Sequence, residues 1–250
     1  MDGKPDMHIY SRAARLSCVG RYREALFLFA QSDPEHPPGP IDLAAWAFTL
    51  NRTGRFKEAL NRCEDALSLD IHCAEAWFVR GLTLYYLGKY DDAIACLDRA
   101  LHYDPSHAES WYTKGNCLYQ EEKAEQAITC YNRVLAIDPH SPKALYNRGV
   151  ALADKGDFHE ALSSYNAFIL ENPDIGVVWT NKGVALAGLS RYEDAIEAFD
   201  MALLLDPRDV TALNNKGISL ARLGRDQEAM KVFETARNIS HLQPFGRKMW

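Results

Sequence analysis

The 250 residues predict an all-α solenoid, built of antiparallel helix pairs stacked one on the next. Three observations carry that reading. The chain repeats itself every 34 residues, with no residue gained or lost between copies. Within each copy, apolar and small residues recur at helical spacing. Between the helical stretches stand glycine or Asp-Pro, which end helices.

In this register 6–39, 40–73, 74–107, 108–141, 142–175, 176–209 and 210–243 are seven copies, with 1–5 a short extension and 244–250 a tail. The first helix of each copy is written by a large apolar column (Ile9, Leu43, Trp77, Trp111, Leu145, Trp179, Leu213) and a small one (Ala13, Ala47, Gly81, Gly115, Gly149, Gly183, Gly217). A leucine column completes it (Leu16, Leu50, Leu84, Leu118, Leu152, Leu186, Leu220). Trp111, Gly115 and Leu118 thus stand at i, i+4 and i+7, one face of a helix. A turn follows, usually with glycine: Gly20, Gly54, Gly88, Gly156 and Gly224.

The second helix opens on acids that suit its positive end, such as Asp91, Asp92, Glu193 and Asp194. Its inner face carries an alanine column (Ala25, Ala59, Ala93, Ala127, Ala161, Ala195, Ala229) and a column of rings and apolar residues (Phe29, Cys63, Leu97, Tyr131, Tyr165, Phe199, Phe233). Asp-Pro at 104–105, 138–139 and 206–207 stops it, because proline disfavours helical geometry in the residue before it. Ser106 with Glu109 reads as a capping box, and Ser141-Pro142 as a cap and first-turn proline. Small residues let two helices approach closely, and Trp111 and its column mates are expected to fill the core beside the crossing. One pair cannot bury this surface alone, so each copy must stack on the next.

These residues resemble the tetratricopeptide repeat family, whose pattern is nearly complete in "AEAWFVRGLTLYYLGKYDDAIACLDRALHYDP" and covers residues 6 to about 243. The resemblance implies a right-handed superhelix, with first helices lining a concave groove and second helices outside. Departures are expected to matter. Proline in "DPEHPPGP" (33–40) should cut the second helix of copy 1 short, and Glu122 and Ala124 should weaken the turn of copy 4. Arg237 and Asp226 replace an apolar and an aromatic column in copy 7, as at a solvated end.

The faces left over after packing differ. Second helices present polar residues (Glu64, Asp65, Asp98, Arg99, Asn132, Arg133, Glu234, Thr235), a solvated face. First helices hold spare rings at Phe48, Phe78, Tyr85, Tyr86, Tyr112, Tyr119 and Tyr146. Amides follow at Asn116, Asn147, Asn181, Asn214 and Asn215, with Ala153, Ala187 and Ala221 beside them. The rings suit apolar or proline-bearing segments, and the amides suit an extended peptide backbone. A subclass of the family clamps a carboxylate with lysine, asparagine and arginine. Asn116, Asn147 and Lys143 match parts of that clamp, but Phe78, Tyr112, Val177 and Asn181 stand where basic residues would be needed.

Net charge −6 gives no electrostatic reason to expect nucleic acid or an anionic membrane. The basic column Arg80, Lys114, Arg148, Lys182, Lys216 follows the acids Asp70, Asp104, Asp138 and Asp206 by ten residues in four of five cases, so pairing across the inter-copy turn is expected. No apolar run is long enough to span a bilayer, and the N-terminal residues lack a secretory pattern. Six cysteines without C-x-x-C spacing read as reduced thiols in a cytoplasm. His72, Cys73, His107 and His140 recur near turns without zinc spacing, and no phosphate loop or nucleophile motif interrupts the repeat. No metal, cofactor or catalysis is therefore expected.

The sequence thus predicts a non-catalytic scaffold that receives a segment of another protein in its concave face. Two alternatives stand beside it. One is self-assembly through the ends, where the tail carries Phe245, Met249 and Trp250; the other is the regulatory arm of a longer enzyme.

Overall fold

A computed structural model describes residues 9–31 and 36–242, with side chains as far as residue 240. The described residues are helical throughout, without a strand, and the helices come in pairs. These are α1 (Ile9–Cys18) with α2 (Tyr22–Phe29), α3 (Pro40–Arg52) with α4 (Phe56–Leu69), and α5 (Ala74–Tyr86) with α6 (Tyr90–Tyr103). Then follow α7 (Ala108–Gln120) with α8 (Ala124–Ile137), and α9 (Pro142–Lys155) with α10 (Phe158–Glu171). The series closes with α11 (Gly176–Gly188) and α12 (Tyr192–Leu205), then α13 (Val210–Arg222) and α14 (Asp226–Leu242). The chain forms two compact units, residues 1–133 and 134–250. Within the first, α1, α3, α5 and α7 pack side by side in order; within the second, α9, α11 and α13 do the same.

The small column has a specific cause. A methyl group on Gly115 would lie 2.7 Å from the Tyr131 ring, one on Gly149 2.4 Å from Tyr165, and one on Gly183 2.5 Å from Phe199. These three first helices are therefore dented by a ring from their second helix, sixteen positions later in the sequence, while on α5 Gly81 receives Leu97. Tyr131, Tyr165 and Phe199 are wholly buried in these dents, each contributing roughly 1.5–3 kcal/mol of apolar burial. Ala47 replaces glycine where the partner is the slim Cys63, and the two share one core cluster.

The tryptophans behave differently from expectation. Trp77, Trp111 and Trp179 are only half-buried. Their indole N–H groups donate to the carbonyls of Ile71 (2.8 Å), Pro105 (3.0 Å) and Pro173 (2.8 Å), six residues back in the preceding turn. The indole N–H bond thus ties each tryptophan to the inter-copy turn before it.

The turns also refine the sequence reading. Gly20, Gly54, Gly88, Gly156 and Gly224 take φ between +72° and +87°. Glu122 and Ser190 adopt the same left-handed geometry without being glycine, at φ 60° and 59°. The copy 4 turn thus keeps its shape, with Lys123 N–H donating to Leu118 O at 2.9 Å just as Lys89 does to Leu84. The substitution is felt as backbone strain rather than as a different turn.

Two polar expectations are corrected. Ser106 does not cap α7: its N–H and Oγ donate to Asp104 Oδ1 at 2.9 and 2.6 Å, and His107 is the cap. Asp70, Asp138 and Asp206 likewise accept the backbone N–H two residues on, within their own turns. The basic column therefore looks elsewhere. Lys114 pairs with Asp98 and Lys216 with Asp200, each at 2.5 Å and sixteen residues back on the preceding second helix.

Helix α2 runs 8 residues against 14 for α4, as the proline-rich stretch implied; Asp33, Pro34 and Glu35 themselves lie outside the described residues. Arg237 and Asp226 are exposed. Phe245, Met249 and Trp250 fall outside the described residues. No helix among the described residues is long and apolar enough to cross a membrane.

Candidate binding groove

Helical periodicity places one residue of every three or four on the inner face of each first helix. In the first unit those faces, from α1, α3, α5 and α7, enclose a pocket of about 560 Å³. Six of the twelve residues singled out from the sequence line it: Phe48, Phe78, Tyr85, Tyr86, Tyr112 and Asn116. Phe48, Phe78, Leu82 and Tyr112 form its apolar middle. Phe78 is only 5% exposed, so it offers an edge rather than a face. Tyr85 packs 5.7 Å from Tyr86 and 6.0 Å from Tyr90 between ring centroids, and Tyr112 lies 6.2 Å from Tyr131. Burial and these neighbouring phenols push the Tyr85 hydroxyl's pKa up, so it is a neutral donor.

At the N-terminal end of these helices stand Glu75, His107 and Glu109. His107 caps α7, its Nδ1 accepting from Ser110 N at 3.1 Å. That tautomer leaves Nε2–H to donate to Glu75 Oε2 at 3.2 Å, and the ring packs 4.8 Å from Phe78. Burial alone would lower the imidazole's pKa. The bond to Glu75, with the charges of Glu75, Asp104 and Glu109, outweighs it, and the net shift is upward. When the ring takes its second proton, Ser110 Oγ, 2.8 Å from Nδ1, becomes the acceptor.

At the opposite end lies Arg52, the last residue of α3, which the sequence reading did not single out. Its Nε donates to Tyr22 Oη at 3.1 Å and its guanidinium lies 5.7 Å over the Tyr22 ring. The bond to Tyr22 raises its pKa, with Tyr86 adding to the shift. Among the described residues no carboxylate comes within ion-pair distance of it. One signal was available: Arg52 stands 34 residues before Tyr86, in the same column.

The other predicted residues do not join this pocket. Tyr119 is half-buried on α7 outside it. Tyr146, Asn147, Asn181, Asn214 and Asn215 belong to the second unit. There Asn181 Nδ2 donates to Tyr146 Oη at 3.4 Å, and Asn215 Nδ2 to the Thr211 carbonyl at 2.9 Å, while Asn214 is exposed. The sequence reading also missed the exposed Val184 and Ile218 interleaved with these amides.

All six cysteines are free thiols, five of them buried. Burial pushes Cys63 and Cys117 up to about 12 and Cys130 up to about 11, so their thiolates do not form near neutral pH. Among the described residues, no three His, Cys, Asp or Glu side chains gather as a metal site.

A tetratricopeptide repeat family model matches residues 78–142 and 180–244, more than half of the chain. The chain belongs to the tetratricopeptide repeat family. A second model of that family matches 115–178, and a model of anaphase-promoting complex, cyclosome, subunit 3 is similar over 19–100. No protein among the curated sequences matches this repeat protein. Among solved structures, residues 41 to the end of MamA from Desulfovibrio magneticus RS-1 superpose with a TM-score of 0.66 at 22% identity, over 68% of this chain and 96% of that solved chain. YrrB, described as a tetratricopeptide repeat protein with an unusual peptide-binding site, gives 0.65 at 26% identity, over 71% of this chain and 91% of YrrB. The fold is therefore the all-α solenoid of the family, and its class of work is protein interaction.

Proposed function

We propose that this chain is a non-catalytic adaptor of the cytoplasm that holds a segment of another protein in the groove of its first unit. The observation carrying this reading is the composition of the pocket: four consecutive first helices turn rings and aliphatic side chains inward around about 560 Å³. Rings lining an open groove favour a ligand with bulky apolar groups, and tyrosine hydroxyls add hydrogen bonds at little entropic cost. The peptide-binding description of YrrB supports the same class of ligand. High thiol pKa values at Cys63, Cys117 and Cys130 leave those groups unsuited to nucleophilic work.

The test compares proteins retained from native lysate by the wild-type chain and by Tyr86→Ala/Tyr112→Ala. Quantitative mass spectrometry should show a defined set lost with the double variant while its unfolding midpoint stays close to wild type. Retention of the same proteins at undiminished yield would remove the groove from the account. Because Asn181 lies in the other unit, Asn181→Ala is expected to leave that set intact.

A further inference from the structure

The pocket is apolar in the middle but oppositely charged at its two ends. Glu75, which accepts from His107, and Glu109 stand where α5 and α7 begin, whereas Arg52 stands where α3 ends, against Tyr22 and Tyr86. From Glu75 to Tyr86 is eleven residues of helix, or about 16 Å at ~1.5 Å per residue. An extended chain covers the same distance in about five residues at ~3.3 Å each.

We infer that the groove selects an extended segment with a bulky apolar centre, a carboxylate at one end on Arg52 and a cationic side chain at the other beside Glu75 and Glu109. This rests on the groove reading and adds the charge order of the occupant. The guanidinium is suited to the carboxylate. Its Nε is engaged by Tyr22 at 3.1 Å and Tyr86 bonds to the group as well, but no described carboxylate neutralises it. Tyr22 and Tyr86 fix its position beforehand, which lowers the ordering cost on binding. A segment in the opposite charge order would put like charges together at both ends.

Panning a random linear dodecamer phage library against the full chain tests this. The wild-type pool should converge on Asp or Glu about four or five residues from Lys or Arg, with bulky apolar residues between. Arg52→Glu should turn the acidic preference basic and keep the other end, and Glu109→Lys should reverse the other end alone. A synthetic peptide from the wild-type pool should bind Arg52→Gln roughly tenfold more weakly, the size of one charge-assisted hydrogen-bonded contact. Apolar motifs without charge order, or an Arg52→Glu pool like wild type, would overturn the inference and spare the groove. No enrichment at all, or enrichment undiminished by Tyr86→Ala/Tyr112→Ala, would overturn both. Both charged side chains are exposed, and matching circular dichroism midpoints verify that the variants fold; Arg52→Gln serves the charge test should Arg52→Glu not fold.

Discussion

The two units share their packed columns and differ in the columns left over. On α5 and α7 the inward positions are Glu75 and Glu109, Phe78 and Tyr112, Leu82 and Asn116, Tyr85 and Tyr119. On α11 and α13 the same positions are Val177 and Thr211, Thr180 and Asn214, Val184 and Ile218, Ala187 and Ala221. Rings and carboxylates on α5 and α7 give way to aliphatic, hydroxyl and amide side chains on α11 and α13, while α9 keeps a ring at Tyr146. Meanwhile Tyr131 and Phe199, one per unit, fill equivalent dents opposite glycine. Positions that touch a neighbour on every side are held by packing density, while positions with a free side are available to specialise.

The strongest test of that division removes a packed ring from each unit. Tyr131→Ala and Phe199→Ala should each cost ~3–5 kcal/mol in urea unfolding, because both rings are wholly buried. Tyr86→Ala and Asn214→Ala, on spare columns, should stay within ~0.5 kcal/mol of wild type. Equal losses at all four sites would erase the distinction between frame and groove.

Next in size is the dent itself. Gly149→Ala puts a methyl 2.4 Å from a ring carbon of Tyr165, and overpacking costs ~1–3 kcal/mol against less than ~1 kcal/mol of helix propensity regained. Gly81→Ala meets Leu97 at 2.8 Å instead, and a leucine rotates away more easily than a ring wedged edge-on. Gly149→Ala should therefore lower the unfolding midpoint visibly more than Gly81→Ala. The reverse order would mean that the glycines serve some purpose other than receiving rings.

The turns give a gain rather than a loss, one in each unit. Glu122→Gly and Ser190→Gly relieve left-handed backbone at φ 60° and 59°. Each should stabilise by ~0.5–1 kcal/mol, the left-handed penalty less the added entropy of an unfolded glycine. A loss of stability at either turn would show that its side chain makes up for the strain.

Titration separates the units as well. The cap of α7 is His107, bonded back to Glu75; the cap of α13 is Asp209, whose Oδ2 accepts from Thr180 Oγ1 at 2.7 Å. The raised pKa of His107 means that the folded state holds its proton more tightly than the unfolded chain. That stabilisation is complete below the ordinary value of 6.5 and drains away as pH rises through the raised one. Urea midpoints should fall across that window in wild type and flatten in His107→Asn, which keeps a cap but does not titrate. An unchanged slope would place the dependence on another group.

Period, helix pairing and the small column were legible in the sequence because packing repeats them seven times over. Six of the rings and amides singled out on the first helices do line one pocket, although Phe78 also belongs to the packed core. Pairings between specific polar groups were not legible. A separation of ten or of sixteen residues both cross between copies, and only the local Asp turn decides that Lys114 meets Asp98 rather than Asp104. Arg52 escaped because its neighbours in sequence are turn residues, while its neighbours in space, Tyr22 and Tyr86, lie one copy away on either side. The division into two units left no mark in a period that never changes.

That polar rule makes the smallest prediction. Lys182 occupies the column of Lys114 and Lys216, but the position sixteen residues back is Asn166 instead of aspartate. Both residues line a pocket of about 420 Å³, where the ammonium lies 4.9 Å over the Trp179 ring. Burial, with Arg191 adding to it, holds the Lys182 pKa below its ordinary value. Asn166→Asp would restore the carboxylate that the column has elsewhere. The Lys182 pKa should rise, followed by NMR of the side-chain nitrogen, and stability should increase by ~0.2–0.5 kcal/mol, the modest value of a partly exposed pair. Lys216, already paired with Asp200, should titrate as before. A Lys182 pKa that fails to move would mean that the spacing of sixteen does not by itself bring acid and base together, and that the backbone around Asn166 differs from that around Asp98 and Asp200.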